Sequence, residues 1–134
     1  MYLAVDIGAT KVLLAVFTSG GELVEQLKFA TDETYEGLIR DLTANIAQLS
    51  HKEFTQTVVA VPGRLDRHSG VALAFGNRPW TNVPIRHDIQ AITHSPVAIE
   101  NDAKVAALSE AINIKDEFNK VLYVTISTGI SAGL

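Results

Sequence analysis

Val5-Asp6-Ile7-Gly8-Ala9-Thr10-Lys11 sits between two apolar runs, Tyr2 to Val5 and Val12 to Phe17. Apolar, β-rich runs on either side of a glycine-containing turn predict a β-hairpin whose two strands are largely buried. A hairpin tip needs a glycine or an asparagine and little else. This one places a carboxylate, a glycine, a hydroxyl and an ammonium between Asp6 and Lys11. Gly8 has no Cβ, so backbone N–H groups can close on an anion. Thr10 offers a hydroxyl, Lys11 positive charge, and Asp6 a carboxylate able to hold Mg²⁺ directly or through water. These are the parts of a phosphate and metal site; a tight turn with solvated polar residues is the plain alternative.

A second stretch of the same form stands at the other end. Val121 to Ile126 is another β-rich apolar run and leads into Ser127-Thr128-Gly129-Ile130-Ser131-Ala132-Gly133. Laying Gly129 on Gly8 aligns strand with strand and turn with turn, as an internal duplication would. Two such hairpins facing each other could grip a polyphosphate from both sides.

Between them the pattern is that of an α/β chain. Glu22 to Ala30 reads as a third strand. Thr31-Asp32-Glu33 supplies a capping hydroxyl and acids for a helix whose apolar positions are Leu38, Ile39, Leu42, Ile46 and Leu49. Thr57 to Val61 is an unbroken apolar run closed by Pro62-Gly63, the form of a buried strand. Val71 to Phe75 predicts a short strand, Pro84 to His94 a short helix with Ile85, Ile89 and Ile92 inward, and Pro96 to Ile99 another strand. Glu100-Asn101-Asp102-Ala103 then opens a helix with Val105, Leu108 and Ile112 on one face. Asp102 therefore stands at a strand-to-helix junction. Asn and Asp are ordinary caps there, but two adjacent candidates exceed what capping needs.

Composition sets the remaining bounds. With 134 residues, 47% apolar and 19% charged, the chain can bury a core, and a net charge of −4 without a basic run speaks against nucleic acid as the main partner. It has no cysteine, hence no disulfide and no thiolate zinc site. His51, His68, His87 and His94 show no paired metal spacing and are read as surface. No apolar run approaches bilayer length and no signal-like start is present, so no membrane partner and a cytoplasmic location are expected.

Asp-Ile-Gly-Ala-Thr-Lys at 6 to 11, Val-Pro-Gly at 61 to 63, Asn77 with Trp80 in Gly-Asn-Arg-Pro-Trp, Glu-Asn-Asp-Ala at 100 to 103 and Ser-Thr-Gly-Ile at 127 to 130 come in the order and spacing of the ROK family, which the chain therefore resembles. That family holds bacterial sugar kinases, such as glucokinase and N-acetylmannosamine kinase, and sugar-responsive repressors. The resemblance implies a ribonuclease-H-like, actin- and hexokinase-like domain with a mixed β-sheet flanked by helices over residues 1–117, and the first strands of a second, nucleotide-binding domain over 118–134. It implies ATP-dependent transfer of a γ-phosphate to a hexose or N-acetylhexosamine hydroxyl. Asp102 would be the catalytic base, and Gly63, Asn77, Asn101 and Asp102 would bind the sugar. Asp6, Gly8, Thr10, Lys11, Thr128 and Gly129 would bind ATP, with Mg²⁺ held at Asp6 through water.

The chain departs from the family's usual pattern at Ala9, where a second glycine is common, and at Ser131 and Ala132. The family resemblance also places its zinc motif and further sugar ligands beyond Leu134, so the chain is read as an amino-terminal portion that is inactive alone and self-associates through unpaired strand edges. A repressor-like, sugar-sensing protein without catalysis is the alternative reading. Arg64 and Arg78 could reach an acidic or N-acetylated substrate but are read as exposed.

Overall fold

The computed structural model describes residues 1–76, 78–126 and 130–134. Its centre is a five-stranded mixed sheet in the order β3-β2-β1-β4-β7, built from β1 (Tyr2–Ile7), β2 (Lys11–Phe17), β3 (Leu23–Ala30), β4 (Gln56–Val61) and β7 (Val97–Asn101). β1, β2 and β3 form an antiparallel meander, and β4 and β7 join parallel to β1. Parallel pairing needs a crossover, supplied by α1 (Tyr35–Ile46) between β3 and β4 and by α2 (Ile85–Thr93) before β7.

Period-2 alternation fixes which side of the sheet is packed. Leu3, Val5 and Ile7 of β1 pair with Val16, Leu14 and Val12 of β2. All six are at most 1% exposed, and they share one core with Val59, Val61, Ile99 and with Leu38, Leu42, Ile46, Ile85 and Ile89 of α1 and α2. The opposite side carries Ala4, Asp6, Leu13, Ala15, Val58 and Ala60. α3 (Asp102–Asn113) lies over that side.

The structure departs from the sequence pattern in several details. The cap of α1 is Thr34, whose hydroxyl accepts from Gly37 N at 3.0 Å, and not Thr31, which is buried. Gly63–Asp66 is a strand, β5, paired with β6 (Val71–Phe75), where the sequence predicts only a turn. Gly63 has φ +110°, and a Cβ there would collide with the Ala74 carbonyl, so glycine is required at this corner. On α3 the residues buried are Ala103 and Ala107, whereas Leu108 and Ile112 are 61% and 56% exposed. The reason is close approach: a Cβ on Gly133 would stand 2.6 Å from Ala107 Cβ, so only small residues allow β8 (Tyr123–Ile126) and β9 (Ile130–Gly133) to lie on the helix. β8 and β9 form the expected second hairpin as a two-stranded antiparallel sheet. Among the described residues no helix is long and apolar enough to cross a membrane.

Candidate active site

The β1–β2 tip is held from behind. Gly8 N donates to Lys11 O at 2.9 Å, closing the turn, and a Cβ on Gly8 would stand 2.8 Å from that same oxygen. Thr31, 7% exposed, donates its hydroxyl to Gly8 O at 2.9 Å and its amide to Thr10 O at 3.1 Å. The carbonyl between them, Ala9 O, accepts from Arg78 Nη2 at 2.8 Å. Three successive carbonyls are thereby turned toward Thr31 and Arg78. In a trans peptide the N–H points opposite its C=O, and among the described residues no peptide bond is cis. The N–H groups of Ala9, Thr10 and Lys11 therefore face away from Thr31 and Arg78, and those of Ala9 and Thr10 have no acceptor among the described residues. A row of such amides is an anion-binding concavity.

Asp6 and Gly8 line a cavity of about 470 Å³ between the open side of the sheet and α3, together with Asp102, Val105, Ala106 and Ser109 of the helix. β1 delivers Asp6 to this side because Val5 and Ile7 take the other. Register places it beside Leu13 and Ala60. Asp102 reaches it because β7 runs without a loop into α3, with Asn101 as N-cap accepting from Lys104 N at 3.2 Å and Asp102 Oδ1 accepting from Ala103 N at 2.8 Å. Partial burial raises the pKa of the Asp6 carboxyl, which still reaches solvent, and the Asp102 carboxylate raises it further. Two carboxylates that repel each other beside a turn with free amides are suited to a shared cation. Among the described residues no three His, Cys, Asp or Glu side chains cluster. A Mg²⁺ ion held by one or two carboxylates normally completes its octahedron with phosphate oxygens and water, so the residues present fit it.

A second cavity, of about 340 Å³, lies on the other flank of the α3 start and is lined by Gly63, Arg64, Arg67, Glu100, Asn101 and Lys104. Asn101 Nδ2 donates to Gly63 O at 3.0 Å, so two of the expected sugar ligands are in direct contact. Burial alone would raise the pKa of Glu100, but the Asn101 amide at 2.8 Å and the Arg67 guanidinium at 2.6 Å outweigh it and leave the carboxyl below its ordinary value. Asn101 and Asp102, adjacent in sequence, thus line separate cavities.

Of the expected site residues, Asp6, Gly8 and Asp102 meet in one cavity, and Gly63 and Asn101 in the next. The Thr10 and Lys11 side chains are exposed at the tip and line neither. Asn77, Thr128 and Gly129 lie outside the described residues. Trp80 is core: 6% exposed, it packs edge-on against Phe75 and Tyr35 and donates Nε1 to Glu33 O at 2.9 Å. Arg64 is exposed as expected, but Arg78 is not, its guanidinium being spent on Ala9 O and on Thr31 O at 3.0 Å. Neither Thr31 nor Arg78 stands out in the sequence as a partner of the tip. The available signals are a threonine directly after a strand and an arginine between two turn formers.

The sequence model of the ROK family matches residues 2–134. An N-acetyl-D-glucosamine kinase of Vibrio atlanticus is 32% identical over the whole of this chain and 46% of its own length. A ROK family glucokinase from Streptomyces griseus, solved with glucose and AMPPNP, superposes with a TM-score of 0.85 at 27% identity, covering 98% of this chain and 43% of that one. A ROK family transcriptional regulator homologous to the Escherichia coli MLC protein shares the fold, with a TM-score of 0.83 at 24% identity over 98% of this chain and 35% of its own. The chain spans less than half the length of the curated relatives it matches. With the hairpin, the carboxylate pair and the helix start arranged as described and a family match across nearly every residue, the chain belongs to the ROK family.

Proposed function

We propose that the full-length protein is an ATP-dependent sugar kinase that transfers the γ-phosphate to a hexose or N-acetylhexosamine hydroxyl. Residues 1–117 would form its sugar-side domain and 118–134 the opening of its nucleotide-side domain, at work in the cytoplasm. The observation that carries the reading is that Asp6, Gly8 and Asp102 share one cavity.

In this reading the sugar lies against Gly63, Asn77 and Asn101. Gly63 leaves room for close backbone approach, and Asn101 is pre-oriented by its bond to Gly63 O. Asp102 accepts the proton of the attacking hydroxyl and hands it to solvent after transfer. Held by the Ala103 amide through one oxygen, it keeps its second oxygen for that proton. The amides of Ala9 and Thr10, the Thr10 hydroxyl and the Lys11 ammonium orient the triphosphate, and Thr128 and Gly129 complete the grip from the second hairpin. Asp6 would hold Mg²⁺, which neutralises charge on the phosphates. Phosphoryl transfer rests on in-line positioning and charge neutralisation more than on basicity, so a carboxylate is base enough.

The test is ADP release by the full-length protein, with MgATP and a panel of neutral hexoses and N-acetylhexosamines. Sugar-dependent release with at least one of them is expected. Sugar binding without any release would favour the sensing role to which the regulator's shared fold points, and would overturn the kinase reading.

A further inference from the structure

The tip that presents Ala9 and Thr10 is not rigid by its own bonds, since its only internal hydrogen bond among the described residues is Gly8 N to Lys11 O. What fixes it comes from far away in sequence. One nitrogen of Arg78 bridges two carbonyls, Ala9 O at 2.8 Å and Thr31 O at 3.0 Å. Thr31 in turn holds Gly8 O and Thr10 O, on either side of the carbonyl taken by Arg78. Two residues along, Trp80 anchors the same segment through Glu33 O at 2.9 Å and is itself locked by Phe75 and Tyr35. The guanidinium carbon stands 5.9 Å from the Trp80 ring centroid. Trp80 and Arg78 thus pin residues 31–33, and residue 31 with Arg78 pins residues 8–10.

We propose that Arg78 is a positioning residue for the nucleotide phosphates. By drawing Ala9 O back, it aims the Thr10 amide, the other end of the same planar peptide, at the anion. Thr31 does the same for the Ala9 and Lys11 amides. A charged donor shared by two carbonyls is well suited to this role, because a charge-assisted bond is stronger than a neutral one, and a planar group with fixed donors sets direction as well as distance. The Arg78 Nε–H is buried without a partner among the described residues, so the side chain is placed for its Nη2 contacts at the expense of its third nitrogen. Arg78 touches no reacting atom in this arrangement and acts only through the tip.

This inference rests on the proposed kinase reading, and its test separates the two. In the full-length protein, Arg78→Met, Arg78→Lys and Thr31→Val are titrated with MgAMPPNP and with adenosine by calorimetry, beside kinetics in both substrates. Arg78→Met is expected to raise the Kd for MgAMPPNP and the KM for MgATP by about tenfold, the scale of one lost charge-assisted bond. Adenosine affinity and the KM for sugar stay as in the wild type. Arg78→Lys, which keeps a cationic donor, recovers part of the loss. Thr31→Val, which removes one hydroxyl contact, moves MgAMPPNP in the same direction and supplies the answer if Arg78→Met does not fold. Equal MgAMPPNP affinity in the variants and the wild type would overturn the positioning role and leave the kinase standing. A uniform loss, in which adenosine and sugar weaken as much as MgAMPPNP and lysine rescues nothing, would make Arg78 structural only. A wild-type protein that binds no MgAMPPNP would end both readings.

Discussion

The two faces of the five-stranded sheet are made from the same strands and are used oppositely. On one, Leu3, Val5, Ile7, Val12, Leu14 and Val16 close against α1 and α2 with almost no exposed surface. On the other, Ala4, Ala15 and Ala60 are small, Val58 is 38% exposed, and the space left over is the cavity that Asp6 and Asp102 enter. Alternation along a strand therefore does more than bury a core. It sends the large residues to the side that stabilises and the small and acidic ones to the side that keeps a cavity.

Adjacent leucines of β2 give the sharpest contrast, since Leu14 points into the closed face and Leu13 lines the cavity. Leu14→Ala is expected to destabilise the protein by about 2–5 kcal/mol, the range for a buried leucine truncated in a well-packed core. Leu13→Ala should cost about 1 kcal/mol or less, because a cavity already adjoins it. Urea denaturation of the two variants measures the difference, and equal losses would erase the distinction between the faces.

A further effect is expected where β4 leaves the sheet at the corner that lines the second cavity. Gly63→Ala must carry a Cβ at φ +110° against the Ala74 carbonyl. The unfavourable φ alone should cost about 1–3 kcal/mol, to which the clash with backbone adds; the loss is read as a lower melting temperature, and in the proposed kinase it should weaken sugar binding through the Gly63–Asn101 contact. An unchanged melting temperature would mean that the corner is not constrained.

The smallest shift belongs to Asp6 and has the opposite sign. Burial and the Asp102 carboxylate raise its native pKa above the ordinary carboxyl value. The native state then holds this proton more tightly than the unfolded chain does. Linkage makes the ionised Asp6 a cost at neutral pH, and that cost fades as pH falls through the raised pKa. Asp6→Asn should therefore melt slightly higher than the wild type near pH 7, lose that advantage toward pH 4, and still lose MgATP-dependent activity. A variant that melts lower at neutral pH would show that the carboxylate is stabilised where it stands, with no cation needed to relieve it.

Much of this is legible in the letters. The Tyr2–Phe17 hairpin, the Thr57–Val61 strand and the Ile85–Ile89 helix face carry their own period. Asp102 falls at a strand-to-helix junction because a β-run stops and an alanine-rich run begins on either side of it. What escapes has no period. Arg78 reaches Ala9 across 69 residues and Thr31 across 47, and single side-chain contacts to carbonyls leave no pattern in sequence. Thr31 looks like a helix cap because a threonine followed by acids is the ordinary cap signature, yet Thr34 takes that place. α3 misleads for a related reason: Leu108 and Ile112 promise the buried face, but the close approach of Gly133 selects Ala103 and Ala107.

Whether the carboxylate opening α3 works in the same hollow as the glycine tip of the first hairpin is tested most directly by turnover of full-length Asp102→Asn, measured beside its affinity for MgAMPPNP. A fall in kcat of about 10²–10⁴-fold, the usual worth of a positioned general base, is expected, with nucleotide affinity retained. Wild-type turnover in that variant would contradict the shared hollow as a catalytic site and leave Asp102 a helix cap and nothing more.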